Sequence, residues 1–288
     1  MHNFQRSTFL ILAGLTAHPA PGAFAADAQE PTLKSVTVTA TLLEESLQKV
    51  PVAVSVLDGE QLERDNRNGV ASIVQQVPSL NFRTGASNKD TSLFVRGVGT
   101  SSTSPGVEPT VATVIDGVVY ARPGQATLDL LDLERVEVLR GPQGTLFGKN
   151  TTAGVINIST RAPSFTPERS IETSLGEDGY FQTKGTISGP LTEDLAGRFS
   201  AYRTRSDGDI KNEYNGHDLN GGSRQGFRGQ LLYKPSDTFN LRWIGDYNEE
   251  DSSAGTRVLY STGPTINGTN LYQSRAAAAG ATLVDGTH

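Results

Sequence analysis

Phe239-Asn240-Leu241-Arg242-Trp243-Ile244-Gly245-Asp246-Tyr247 places Phe239, Leu241, Trp243, Gly245 and Tyr247 on one side of an extended chain, opposite Asn240, Arg242 and Asp246. A period of two is the mark of a β-strand. The run before it repeats the pattern: Phe227, Gly229, Leu231 and Tyr233 stand opposite Arg228, Gln230 and Lys234. So do Ile171, Thr173 and Leu175; Phe181, Thr183, Gly185, Ile187 and Leu191; and Leu195, Gly197, Phe199 and Ala201. About ten residues with one apolar and one polar face suit a strand between lipid and a wet lumen. A soluble sandwich alternates too. Connection length separates the two. Pro190-Leu191-Thr192-Glu193-Asp194 and Pro235-Ser236-Asp237 read as tight turns, and residues 207–222 as a long polar loop. Short turns at one end and a long loop at the other fit the two sides of an outer-membrane barrel, with Tyr180, Tyr233, Phe239 and Tyr247 near strand ends as an interfacial girdle.

The chain has 288 residues, room for about two domains. Its 31 glycines and 14 prolines are aperiodic, which excludes collagen. A formal charge of −6 gives no basic face for nucleic acid, and the lack of cysteine excludes disulfides and thiolate metal sites. At the start, Arg6 precedes the apolar run Phe9-Leu10-Ile11-Leu12-Ala13-Gly14-Leu15, and Ala23-Phe24-Ala25 follows as a cleavage site. Residues 1–25 are therefore expected to be a signal peptide. The apolar run is too short to span a bilayer as a helix, so any crossing of a membrane is expected to use strands.

Between these ends, residues 47–162 read as an α+β body. Val52-Ala53-Val54-Ser55-Val56-Leu57 is a strand, Asp58 an N-cap for a short helix, and Val70, Ile73, Val74 and Val77 share a helical face that Pro78 stops. Further strands are expected at Leu93-Phe94-Val95-Arg96-Gly97, at residues 111–118, at Val136-Glu137-Val138-Leu139 and at Gly154-Val155-Ile156-Asn157-Ile158, with a brief turn or helix at 128–133. The whole chain divides into 1–25, a mature N-terminus at 26–46, the body at 47–162 and a partial barrel at 168–288.

Four segments of that body carry a resemblance. Leu93-Phe94-Val95-Arg96-Gly97-Val98, Val114-Ile115-Asp116-Gly117-Val118, Leu133-Glu134-Arg135-Val136-Glu137-Val138-Leu139-Arg140-Gly141-Pro142-Gln143-Gly144 and the run 146–158 resemble, in order and spacing, the plug-domain signatures of TonB-dependent outer-membrane receptors. The resemblance implies an α+β plug domain followed by the first strands of an antiparallel transmembrane β-barrel, the barrel incomplete. It implies an importer that captures a scarce, bulky solute, most often a ferric siderophore, with TonB as energy-supplying partner and outer-membrane lipid around the wall. Val36-Thr37-Val38-Thr39-Ala40 resembles the coupling box, whose physics is strand addition to a partner sheet through free backbone groups. Arg96 and Arg140 match the arginines that lock a plug to wall glutamates, and Glu134 and Glu137 are expected to form ion pairs with Arg135 or Arg140. Outward loops at 83–90, 99–108 and 120–125 would meet the solute, with Arg83, Lys89, Tyr120, Arg122 and Gln125 as candidate contacts.

Other chemistry finds little support. Gly144-Thr145-Leu146-Phe147-Gly148-Lys149-Asn150 is one residue short of a phosphate-binding loop and has Asn150 where a hydroxyl belongs. His217 and His288 lack a ligand pattern, and no nucleophile–base set occurs, so neither a resident metal or cofactor nor catalysis is expected. The rival reading is a soluble periplasmic β-sandwich binding module or adhesin. About five wall strands against the roughly 22 of plugged transporters, and a tail at 275–288 without a terminal aromatic, lead to the expectation of a truncated chain not competent for transport alone.

Overall fold

The structure is a computed structural model. It describes residues 37–38, 45–46, 48, 50–67, 69–84, 91–101, 107–122, 124, 130–211, 216–253, 270–278 and 280. The expected signal peptide, Lys89, Gln125 and residues 36, 39 and 40 of the coupling box lie outside these.

Two short strands, β1 (Thr37–Val38) and β2 (Glu45–Ser46), pair antiparallel ahead of the body. The body is built on a mixed sheet of β3 (Ala53–Asp58), β9 (Leu133–Arg140), β10 (Gly154–Thr160), β7 (Val111–Ile115) and β8 (Val118–Tyr120), in that spatial order. Only β10 and β7 run parallel. A three-stranded sheet of β4 (Leu80–Arg83), β5 (Ser92–Val95) and β6 (Val98–Gly99) packs beside it. Alternate residues of the mixed sheet feed two cores. Val136, Val138, Ile156 and Ile158 meet Leu62, Val70 and Ile73 on one face. Ala112, Val114, Leu139 and Val155 meet Val38 and Phe147 on the other. Burial on both faces explains why these strands read as near-continuous apolar runs.

The helices obey their local signals. Asp58 caps α1 (Gly59–Arg64) by accepting from the Gln61 amide at 3.0 Å. Gly69 opens α2 (Val70–Val74), whose buried side chains are Val70, Ile73 and Val74. The turn or helix expected at 128–133 is corrected: Leu133 already begins β9, because it pairs with Thr160. A brief α3 (Gly144–Phe147) seats Phe147 in the second core.

After the body comes a single antiparallel meander of β11 (Glu168–Leu175), β12 (Phe181–Pro190), β13 (Leu195–Lys211), β14 (Asp218–Ser236) and β15 (Phe239–Ser252). Its register puts Ile187, Phe199, Gly229 and Gly245 in one row, and Gly185, Ala201, Phe227 and Tyr247 in the next. This face stays open: Ile171, Ile187, Trp243 and Leu241 are all more than half exposed. From Tyr233 up to Phe227 the apolar band rises about 20 Å, close to a barrel's lipid-facing band. A sandwich would cover that face with a second sheet. Among the described residues no sheet lies there.

Three expectations change here. The long loop at 207–222 is mostly strand, since Gly208 pairs with Asn220 and Lys211 with Asp218. Polar side chains suit a ladder that has left the membrane, so composition alone hid the strand. Tyr180 is not on the open face with Tyr233, Phe239 and Tyr247, but beside Thr204 and Arg224 on the opposite side. Finally, residues 271–278 of the supposed barrel segment are helical, as α4 (Leu271–Ala278), where Asn270 Oδ1 accepts from the Gln273 amide at 3.1 Å. Among the described residues no helix is long and apolar enough to cross a membrane.

Gly59 is a sensitive point of the body. A Cβ there would fall on the Leu133 carbonyl, which cannot swing away because it belongs to β9. Gly59→Ala is expected to destabilise the chain by about 1–3 kcal/mol, read as a lowered guanidinium unfolding midpoint.

Candidate functional site

The polar face of the five-stranded sheet is turned toward the body, and buried charges join the two. Asp116 and Gly117 form the tight turn of the β7–β8 hairpin, at φ +48° and +84°. An Asp-Gly pair suits that left-handed turn. The turn is tied down by its own carboxylate, which accepts from the Thr160 amide (2.9 Å) and the Thr160 hydroxyl (2.8 Å). The same carboxylate receives Arg228 Nη1 of β14 at 2.6 Å. Arg228 also reaches Asp246 of β15 at 3.6 Å.

Asp132, also left-handed at φ +60°, stands just before β9. Arg198 of β13 grips it with two guanidinium nitrogens: Nη2 donates to Oδ1 at 2.6 Å and Nε to Oδ2. Ser200 Oγ adds a bond to Oδ2 at 3.1 Å, and Glu168 of β11 takes Arg198 Nη1 at 2.8 Å. The Arg198 and Asp132 side chains are 4% and 2% exposed. Arg242 of β15 completes the set, donating to the carbonyls of Thr160 (3.1 Å) and Arg161 (3.2 Å). Gln230 Nε2 also donates to the Arg161 carbonyl, at 3.2 Å. Arg161 in turn reaches Glu63 of α1 at 3.0 Å.

The expected lock residues lie elsewhere. Glu137 is fully buried and accepts from Arg135 Nε (2.9 Å) and Asn157 Nδ2 (3.2 Å), while Glu134 takes Arg135 Nη1 at 2.5 Å. Both glutamates therefore bind inside the body, as the ion-pair expectation had it. Arg140 Nε donates to the Ala53 carbonyl at 3.3 Å. Arg96 occupies a left-handed turn position at φ +52°, a strained place for a long side chain, and is exposed. The bonds that Glu134, Glu137 and Arg140 make here run within the body. Asp116, Asp132, Arg198, Arg228 and Arg242 were missed. Asp116 stood inside a quoted motif as a turn residue, and the arginines as the polar half of an alternation. The signal was that three successive strands each carry an arginine on the face meant for the lumen.

Other candidate residues are only partly gathered. Arg83 Nη1 donates to Ser101 Oγ at 3.2 Å, which joins the first two outward loops. Lys149 Nζ meets Glu108 Oε1 at 2.5 Å beside the second. Tyr120 ends β8, half-buried against the first core. Burial, helped by Asp246 and Asp116 and opposed by Arg228, holds its phenol above the usual range, so it stays a hydrogen-bond donor. Arg122 is exposed in the turn beyond. In the coupling segment, the expectation of free backbone is corrected for Thr37 and Val38. They pair with Ser46 and Glu45, and the Val38 side chain is wholly buried.

The family model of the TonB-dependent receptor plug domain matches residues 46–155. Residues 46–155 thus match the plug domain of the TonB-dependent receptors. It is 32% identical over 174 residues to the pesticin receptor of Yersinia pestis, which covers 60% of this chain and 25% of that protein. It is 29% identical over 181 residues to the ferrichrome outer membrane transporter/phage receptor of Escherichia coli (strain K12), covering 62% and 24%. The crystal structure of the ferric yersiniabactin uptake receptor FyuA from Yersinia pestis superposes with a TM-score of 0.67 at 28% identity, over 73% of this chain and 33% of that one. The chain thus spans about a quarter of the length of the curated relatives it matches. The plug-like body followed by the antiparallel strands β11–β15 matches the order of parts in these relatives.

Two outcomes test the interface. Asp132→Ala leaves Arg198 buried without its main partner and is expected to cost about 3–5 kcal/mol, whereas the double change Asp132→Leu with Arg198→Met recovers most of it. Hydrogen exchange at the β9 amides reads both. Glu63 supplies a pH test. Burial, opposed by Arg161, raises its carboxyl above the ordinary 4.5. A group raised in the folded state stabilises fully below its unfolded value and loses that contribution as pH rises through the folded one. The unfolding midpoint is therefore expected to fall as pH rises from about 4.5, and to fall less in Glu63→Gln.

Proposed function

We propose that the protein serves energised uptake of a scarce solute across the outer membrane, and that the solute is a ferric siderophore. The observation that carries this reading is the docking of an α+β body, through Asp116 and Asp132, onto the wet face of a sheet whose other face is apolar and open. A body held in that way closes a pore that must be opened by work from outside the membrane. TonB is the partner that would supply this work. Similarity to a ferric yersiniabactin uptake receptor supports an iron chelate as cargo.

Within this reading the segments take roles. Residues 1–25 direct export, 26–46 carry the coupling segment, 47–162 plug the pore and 168–288 contribute wall. Residues 36–40 are the coupling box. Its Val38 is stowed in the second core, so coupling requires its release before an edge can form with a partner. Arg96 and Arg140 lock the plug to wall strands other than β11–β15, and the strained turn at Arg96 supports a role that outweighs its backbone cost. Arg83, Lys89, Tyr120, Arg122 and Gln125 offer cationic and phenolic groups to an anionic chelate.

Uptake and binding separate in one experiment. In a strain whose growth depends on one ferric siderophore, deletion of residues 36–40 is expected to abolish growth while surface binding of the labelled chelate persists. Undiminished growth after that deletion, or growth defects only with cobalamin, overturns the coupling role or the choice of solute respectively.

A further inference from the structure

The open face of the wall sheet holds a depression of about 640 Å³. Its floor is glycine, at Gly189, Gly197 and Gly229, and a Cβ at Gly229 would meet nothing within 4 Å. Its sides are Ile187, Phe199, Leu231 and Trp243, and Leu191 closes the end near the turn at 191–194. The volume falls among those of small-molecule sites, about 300–1,000 Å³. Side chains of ordinary size at the three glycines would give a smooth apolar face, which is all that fluid lipid requires. The glycines cut a channel into it instead.

A charge stands at its β11 margin, one strand beyond Ile187. Arg169 pairs in register with Ile187, so it projects from the same face as the channel. It is exposed, and among the described residues it meets no carboxylate. A cation on a lipid-facing surface is costly at the midplane and tolerated near the interface, where it reaches for an anion. Arg169 lies only a few residues above the short turn that follows Pro190. By the length of the connections, that end faces the periplasm.

We propose that this channel is a site for one anionic glycerophospholipid of the periplasmic leaflet, with an acyl chain on the glycine floor and the phosphate on Arg169. The inference rests on the outer-membrane reading of β11–β15. It adds to that reading a defined lipid partner, chosen by charge at the β11 margin and shape along the rest. Trp243 stands at the wall of the channel, 61% exposed, and is the sole tryptophan of the 288 residues.

The test takes the receptor purified from outer membranes into nanodiscs of brominated-chain phosphatidylglycerol or phosphatidylcholine, and reads quenching of Trp243 by difference against Trp243→Phe. In mixtures of the two lipids, with only one brominated, the anionic lipid is expected to be preferred at Trp243 by about fivefold, the effect of one interfacial arginine. Arg169→Gln should remove the preference, and Gly229→Leu should reduce quenching by both lipids. Equal quenching by the two lipids in the parent protein, unchanged by Arg169→Gln, overturns the proposal while leaving the wall reading intact. Absence of quenching by either lipid overturns the wall reading itself, and the proposal with it.

Discussion

A guanidinium buried between two layers of protein governs this structure. Arg198 has left water on β13 and finds Asp132 and Glu168 waiting, with Ser200 bonded to the same Asp132 carboxylate. Removing two charges from water is costly, and only near-complete pairing offsets it. The carboxylate must therefore be at one place and at one angle, which the left-handed backbone at Asp132 provides. The same logic repeats at Asp116 and Arg228. These pairs set the body's position on the sheet more narrowly than apolar contact can, because apolar contact has no direction. They also fix which face of the sheet is wet. Once Arg198, Arg228 and Arg242 point to the body, the period of two sends Phe199, Phe227 and Trp243 the other way.

Most of the architecture was legible because its signals are local. The Asp58 cap, the helical spacing at Val70, Ile73 and Val74, and the alternation along β12–β15 each depend on neighbours within a few residues. The extent of β13 and β14 was not, since a strand beyond the bilayer has no apolar face to announce it and only its cross-strand partners reveal it. The site was legible in part. Glu134 and Glu137 were placed in ion pairs because Arg135 sits between them in sequence. The Asp132–Arg198 pair joins residues from different layers, and nothing near either one names the other. The burial of Val38 was hidden for the same reason. A β-prone pentapeptide looks alike whether its edge is open or stowed against Leu139 and Val155.

The two outer strands of the mixed sheet differ mechanically. At one rim β8 joins β7 through the Asp116 turn, riveted to the wall by Arg228. At the other rim β3 has a single neighbour, β9, antiparallel to it, with Ala53 and Arg140 as the first pair. Tension arriving from the N-terminal side meets the β1–β2 pair and the buried Val38 first, and Ala53–Arg140 is the first pair of the mixed sheet it then loads. Under force directed across the strands the ladder would part pair by pair from Ala53 toward Asp58, each step breaking a small number of bonds. Shearing the whole strand at once would need all of them to fail together. The body therefore carries a tear line at one margin and an anchored seam at the other, so a modest sustained tug separates an end of the sheet while the remainder stays moored.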